Sequence, residues 1–231
     1  MSLPTDLVPD TVKPHENDSY VPDVFSGFYE NFGKRCFDIV LTLLIAIPAL
    51  VIVIAIALIM LFSHEGKNIF FGHRRIGKDG EAFKCWKIRT MVVDAEQKLQ
   101  DYLAANPDAA EQWTRDHKLD RDPRITRIGR FLRKSSLDEL PQLWNVFKGE
   151  MSFVGPRPVV RMEMHKYGRY RKTYMSVRPG VTGLWQVSGR NGTTYAERVQ
   201  LDVDYVRNMS LLGDIRLVFQ TFRVLVQPTG K

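Results

Sequence analysis

The chain has 231 residues, 44% of them hydrophobic, enough for one ordinary domain with a real core and an appendage. Its 33 lysines and arginines outnumber 26 acids, for a net charge of +7. That excess predicts an anionic partner (nucleic acid, a lipid headgroup surface or a phosphorylated substrate) without choosing among them. Two cysteines, Cys36 and Cys85, have no metal-ligand spacing and form no framework, which argues against a disulfide-stapled secreted domain and fits a reducing compartment.

Residues 1–33 are rich in Pro, Asp, Asn and Ser, with few periodic apolar positions, and are expected to form a flexible, mildly acidic tail. Residues 34–66 are different. From Ile39 to Phe62 there is no charged residue, a run of 24 positions. At about 1.5 Å per residue it is long enough to cross a hydrocarbon core of about 30 Å. It starts too late for a cleaved signal peptide and lacks a small-residue cleavage site. Pro48 lies inside it, removes a backbone N–H and clashes with the carbonyl four residues back, so a kink or break is expected at Ile47-Pro48. Lys34 and Arg35 precede the run, and Lys67, Arg74, Arg75 and Lys78 follow it. Basic flanks on both sides fit a hairpin that enters and leaves on one cytoplasmic face; a straight spanning helix with a tolerated proline is the alternative.

Residues 67–231 are expected to form the catalytic domain. "NIFFGHRRIGKDGEAFKCWKIRTM" predicts a β-hairpin turning at Lys78-Asp79-Gly80. "VVDAEQKLQDYLAANPDAAEQWTRDHKL" predicts two polar helices divided at Asn106-Pro107, the second starting near Asp108 as its N-cap. "LPQLWNVFKG" predicts a short helix ended by Gly149. The basic, aromatic stretch that follows carries loops at Arg178-Pro179-Gly180 and Ser188-Gly189-Arg190. Two helices close the chain, the last amphipathic, suited to a membrane interface or to packing on the core. The fold class is therefore α+β, rich in helix, with one hairpin and an N-terminal apolar membrane helix that either re-enters at Pro48 or spans.

Arg121, Arg124, Arg127, Arg130 and Arg133 recur every third residue. Each step of three falls about 60° short of a full helical turn, so the row winds around a helix instead of forming one stripe. Most of it is expected to be a solvated face touching lipid phosphates. Arg133 stands apart because it adjoins Asp138 and Glu139 in "SSLDELP". By local rules Asp138 caps a helix that Glu139, Leu140 and Pro141 open. The same geometry suits chemistry: a helix start attracts phosphate, Arg133 and Arg157 supply bidentate donors, and a carboxylate there can hold Mg²⁺ or attack phosphorus.

"KRCFDIVLTLLIAIPALVIVIAIALI", "FKCWKIRTM", "DPRITRIGRFLRKSSLDELPQLWNVFKGEMSFVGPRP", "RPGVTGLWQVSGRN" and "LDVDYVRNMSLLGDI" together resemble the bacterial sugar transferases, the monotopic polyprenyl-phosphate phosphoglycosyl transferases. The likeness runs in order from about Lys34 to Ile215 and is strongest to those that initiate exopolysaccharides with galactose 1-phosphate, through "GHRRIG" and the polar insert before "DPR". The resemblance implies transfer of a sugar 1-phosphate from a UDP-sugar to undecaprenyl phosphate, with release of UMP, at the bacterial inner membrane. It implies a phosphosugar on Asp138, with Glu139 as the second acid and Mg²⁺ as cofactor. Arg133 would hold the lipid phosphate, Arg157 the nucleotide, and Lys87 and Arg89 would reach the same pocket. It also implies a re-entrant helix broken at Pro48. Ile47 departs from the serine that many members carry there, leaving Thr42 to bond the freed backbone. The chain looks like a near-minimal catalytic unit. Direct attack in a ternary complex and a noncatalytic basic membrane-anchored protein are the rival readings. Nucleic acid is not the expected partner, because the aromatic residues lie inside apolar helical patterns. A homo-oligomer is left open.

Overall fold

A computed structural model describes residues 27–63, 68–116, 118–188 and 193–226. Helix begins earlier than the sequence suggests. A π-helical turn, Tyr29–Gly33, runs directly into α1, Lys34–Phe62. Tyr29 is buried and its hydroxyl donates to Asp214 Oδ2 at 2.7 Å, which holds this turn on the domain. The tail expected over residues 1–33 is thus corrected at residues 27–33; the rest of it lies outside the described residues.

Of the kink or break expected at Pro48, the break does not occur: the helix continues through the proline. Proline costs one hydrogen bond, to the carbonyl of Leu44. Thr42 does not repair that loss: its hydroxyl donates to the Asp38 carbonyl at 2.7 Å. What holds α1 is contact with the domain at both ends. Phe37, Leu41 and Ile45 pack on a core that includes Val146, Met151, Phe153 and Leu217. Ile56 and Met60, near the other end, are buried with Ile88 and Leu132. The opposite face carries Leu44, Ile47, Val51 and Phe62, all exposed. Only 17% of the most apolar window is buried, so this helix, long and apolar enough to cross a membrane, keeps most of its apolar surface outside the protein core.

The hairpin forms as the sequence predicts: β1, Phe70–Ile76, pairs antiparallel with β2, Ala82–Ile88, in the register Phe70↔Ile88 to Ile76↔Ala82. Asp79 and Gly80 turn it in the left-handed region. Then come α2, Ala95–Ala105, and α3, Pro107–Asp116, divided where expected. The second starts at Pro107 and not after an Asp108 cap, since the first helical position has no use for the N–H that proline lacks. Next are α4, Arg127–Ser135, capped by the Thr126 hydroxyl, and α5, Gln142–Lys148, ended by Gly149. Arg35 donates to the carbonyls of Val146 and Phe147 at the end of α5, at 2.6 and 2.7 Å.

The helix α6, Arg171–Met175, precedes β4, Gly180–Thr182, which pairs in parallel with β3, Ser152–Val154. The chain goes on through α7, Leu184–Ser188, α8, Tyr195–Arg207, and α9, Leu211–Val226. The Ser188-Gly189-Arg190 loop falls largely outside the described residues. On α9, Asp214 and Leu217 are buried while Leu212, Phe219 and Phe222 are exposed, so the helix packs on the core with one face and presents aromatics on another. The helix-rich α+β class holds, with two separate two-stranded sheets among the described residues.

Lys34 Nζ and Asp214 Oδ2 form a buried pair at 2.5 Å, and Asp214 also accepts from Tyr29 and Tyr205. Removing one partner strands the other charge in a dry site. Lys34→Met is expected to cost about 3 kcal/mol of stability, read by chemical unfolding in detergent micelles. The double variant Lys34→Met/Asp214→Leu is expected to recover more than half of that loss.

Candidate active site

The site begins where α4 stops. Ser136 takes a left-handed conformation, φ +57°, and turns the chain into a single 3-10 turn, Leu137–Glu139. Leu137 packs against the cluster of Ile88 and Leu132. The turn thus rotates Asp138 inward, to 8% exposure. The capping role expected of Asp138 is overturned: Ser136 and Pro141 occupy the cap positions of this turn and of α5, and neither element has a side-chain cap.

Lys87 comes from the end of β2. Its Nζ donates to Glu139 Oε1 at 2.6 Å and lies 4.0 Å from Asp138 Oδ2. Burial lifts the Asp138 carboxyl above the ordinary carboxylate value; Lys87 and Arg133 pull it down and Glu139 pushes it up. Arg133 therefore acts on the dyad through its field. Its Nε is tied to the Thr90 hydroxyl at 2.8 Å, and it is not among the residues lining the cavity. Gly129 makes this docking of α4 on the Thr90 backbone feasible, since a Cβ there would sit 2.1 Å from the Thr90 carbonyl oxygen. The other arginines scatter, as their winding predicts: Arg124 pairs with Asp122 at 2.7 Å, while Arg127 and Arg130 are exposed.

Beside the dyad is a cavity of about 440 Å³, lined among others by Arg75, Lys87, Glu139, Gln142, Arg157 and Trp185; Asp138 is buried next to Glu139 and is not itself a lining residue. Arg157 reaches it because two backbones touch. A Cβ on Gly180 would lie 2.1 Å from Gly155 N, so "GPRP" and "RPGVTG" meet through bare glycines. Asp202, 2% exposed, fixes the same loop: its carboxylate accepts from the Tyr167 hydroxyl at 2.7 Å and from the Arg157 backbone N–H. Burial pushes this carboxyl up to about 6, against those bonds and the Arg198 charge. Cys85 also lines the cavity, with its thiol raised by burial to about 11 and hence unreactive.

Arg89 does not join. It donates to the Asn68 carbonyl at 2.9 Å and lies over Phe71. Sequence reasoning missed Arg75, Trp185 and Asp202 as site residues. A signal existed for the first. In the hairpin register Arg75 falls opposite Phe83, on the face that also carries Cys85 and Lys87, so period-two alternation leads to it. No local pattern marks the other two.

A second, apolar groove of about 620 Å³ runs between α1, the hairpin and α5, past Leu43, Leu50, Phe70, Trp86, Trp144 and Phe147. Leu140 and Leu143 line both spaces, so the charged cavity and the groove are neighbours. Among the described residues no three His, Cys, Asp or Glu converge on a metal position. Asp138 and Glu139 are the carboxylates that would hold a Mg²⁺, which often takes one or two protein carboxylates, and the cation beside both of them here is Lys87.

A cavity rimmed by arginines and a lysine, with Glu139 on its wall, the buried Asp138 next to it and an apolar groove alongside, suits an anionic substrate with a greasy portion. The chain belongs to the bacterial sugar transferase family, whose sequence pattern matches residues 29–228. It is 50% identical over 204 residues to the UDP-galactose-lipid carrier transferase of Erwinia amylovora, covering 86% of this chain and 41% of that protein. It is 49% identical over 198 residues to the exopolysaccharide production protein ExoY of Sinorhizobium fredii, covering 86% and 87%. It is 46% identical over 199 residues to the undecaprenyl-phosphate galactose phosphotransferase of Salmonella typhimurium, covering 86% and 41%. The chain thus spans less than half of two of these relatives and most of the third.

Asp138 is expected to titrate above 3.8, followed by carboxyl carbon NMR. Lys87→Met removes a lowering charge and moves the midpoint further up; Glu139→Gln removes a raising charge and moves it down. Opposite shifts in both variants would contradict the electrostatic account.

Proposed function

We propose that the protein transfers a hexose 1-phosphate, galactose in the first instance, from a UDP-sugar to undecaprenyl phosphate, releasing UMP and starting an exopolysaccharide or other surface-glycan repeat unit. The observation that carries this reading is the adjacency of the Asp138–Glu139–Lys87 cluster and the apolar groove along α1. One space suits phosphates, the other an isoprenoid chain, and they share Leu140 and Leu143. The names of the relatives support galactose.

Asp138 is the nucleophile in this reading. Its carboxylate oxygen attacks the phosphorus that bears the sugar, the bond from that phosphorus to the UMP oxygen breaks, and UMP leaves with the electron pair. A phosphate oxygen of the acceptor lipid then attacks the same phosphorus, and the Asp138 carboxylate is released. Splitting the transfer avoids direct attack of one phosphate on another held in a ternary complex. Lys87 holds Glu139 beside the reacting acid, Arg157 faces the donor and Arg133 lends charge for the lipid phosphate. Mg²⁺ held by Asp138 and Glu139 would neutralise substrate phosphate charge.

The helix geometry supports placement on one membrane face. Lys34 and Met60 are separated by about 39 Å along an α-helix, yet both ends of α1 are buried on the same domain. A helix crossing the bilayer would carry Met60 to the far side. We therefore assign α1 to the cytoplasmic leaflet of the bacterial inner membrane, with the catalytic domain in the cytoplasm.

Asp138→Asn is expected to lower UMP release from UDP-galactose, in the presence of undecaprenyl phosphate and Mg²⁺, by at least about 10³-fold. Wild-type protein given donor alone is expected to retain labelled sugar phosphate after denaturation. Equal UMP release by both proteins would overturn the assignment of Asp138; full activity with no trapped label would favour the ternary route. For topology, the exposed native Cys36 and an introduced Ser63→Cys are expected to react with an impermeant thiol reagent from the cytoplasmic side alone. Labelling from opposite sides would mean a spanning helix.

A further inference from the structure

Trp185 lines the cavity, yet its ring already has company. The Arg198 guanidinium carbon lies 4.2 Å from the ring centroid and that of Arg157 lies 5.2 Å away. The indole N–H donates to the Thr193 hydroxyl at 3.0 Å, which fixes the plane. Arg198 also lies over the Tyr195 ring, at 5.2 Å. Cation–π contact lets two like charges share one platform. A nucleobase seeking that ring would have to displace them.

The charges do not cancel. Arg157 feels both Arg198 and Arg75 as repelling neighbours, with Glu139 and Glu163 as opposing acids. Glu139 is committed to Lys87 at 2.6 Å, and Glu163 lies 3.7 Å from Arg75. Asp202 lies close to both Arg157 and Arg198, but it is taken up by the Tyr167 hydroxyl and the Arg157 backbone. Three guanidiniums thus stand with two carboxylates, Glu163 and Asp202, and one positive charge is left over. Arg198 is not itself among the residues lining the cavity and meets it through Trp185 and Arg157; its Nε is buried and has no acceptor among the described residues. A guanidinium gathered with its like and holding a dry donor open is completed by an anion, and its planar fork matches phosphate oxygens.

We propose that Arg198 joins Arg157 over Trp185 as a two-guanidinium clamp on the diphosphate of the nucleotide donor. This rests on the donor assignment above and adds a binding residue from α8 that no local motif marks. Trp185 is a positioning residue here: it holds the arginines and leaves the uracil to other contacts.

The test uses the full chain carrying Asp138→Asn in detergent micelles, with UDP-galactose, UMP and uridine as ligands, binding read by calorimetry and folding by thermal unfolding. Arg198→Gln is expected to weaken UDP-galactose by about 10- to 100-fold and to leave uridine within twofold. Trp185→Leu is expected to match it, and Arg198→Lys to fall between. In otherwise wild-type protein, Arg198→Lys raises KM for UDP-galactose and leaves KM for undecaprenyl phosphate unchanged. UDP-galactose affinity unchanged in a folded Arg198→Gln protein, or equal losses for uridine and UDP-galactose, would overturn the clamp. If Arg198→Gln does not fold, Arg198→Lys decides: a loss of fivefold or more for UDP-galactose alone supports the clamp, and none overturns it. Failure of Asp138→Asn protein with intact Arg198 to bind any UDP-sugar would instead remove the donor assignment itself.

Discussion

Lys34 and Asp214 are 180 residues apart, and they meet at 2.5 Å with both side chains buried. Burying two charges is costly unless each is paired and hydrogen-bonded, and here Asp214 also takes the Tyr29 and Tyr205 hydroxyls. One turn along α1, Asp38 accepts from the Ser152 hydroxyl and the Phe153 N–H, which ties the same helix to β3. These contacts set where the apolar helix lies on the domain. The groove along α1, and its closeness to the charged cavity, follow from that placement.

The cavity shows a division of labour between turns and strands. A left-handed Ser136 reverses the chain after α4 and buries Asp138, while the hairpin sends Lys87 toward it from the side. Backbone contact between Gly155 and Gly180 brings the Arg157 loop up against the same space. The hairpin turns at Asp79-Gly80 and the Gly155–Gly180 contact uses bare glycines, whereas Ser136 is left-handed without being glycine.

Some of this was legible beforehand. The hairpin and its turn, the division at Asn106-Pro107, the stop at Gly149 and the long apolar run all follow from local periodicity and from glycine and proline chemistry. Other expectations failed for tertiary reasons. Pro48 does not interrupt α1, which packs on the domain at both ends, and Tyr29 extends the helix upstream because Asp214 receives its hydroxyl. Asp138 looked like a cap, but packing of Leu137 on Ile88 and Leu132 turns it inward.

Local order along the chain sets the near neighbours: two adjacent acids, a basic run before them, an apolar helix and a hairpin. These depend on spacing and on local backbone preference, which act within a few residues. Which charges meet is a matter of the packed fold. Lys87 faces the acids while Arg89, two residues on, turns to Asn68. Asp202 supports the Arg157 loop, and Trp185 gathers arginines from two distant segments. Electrostatic and packing partners of that kind are chosen by proximity in space, after burial has settled how the elements lie together, and no period in the chain encodes them.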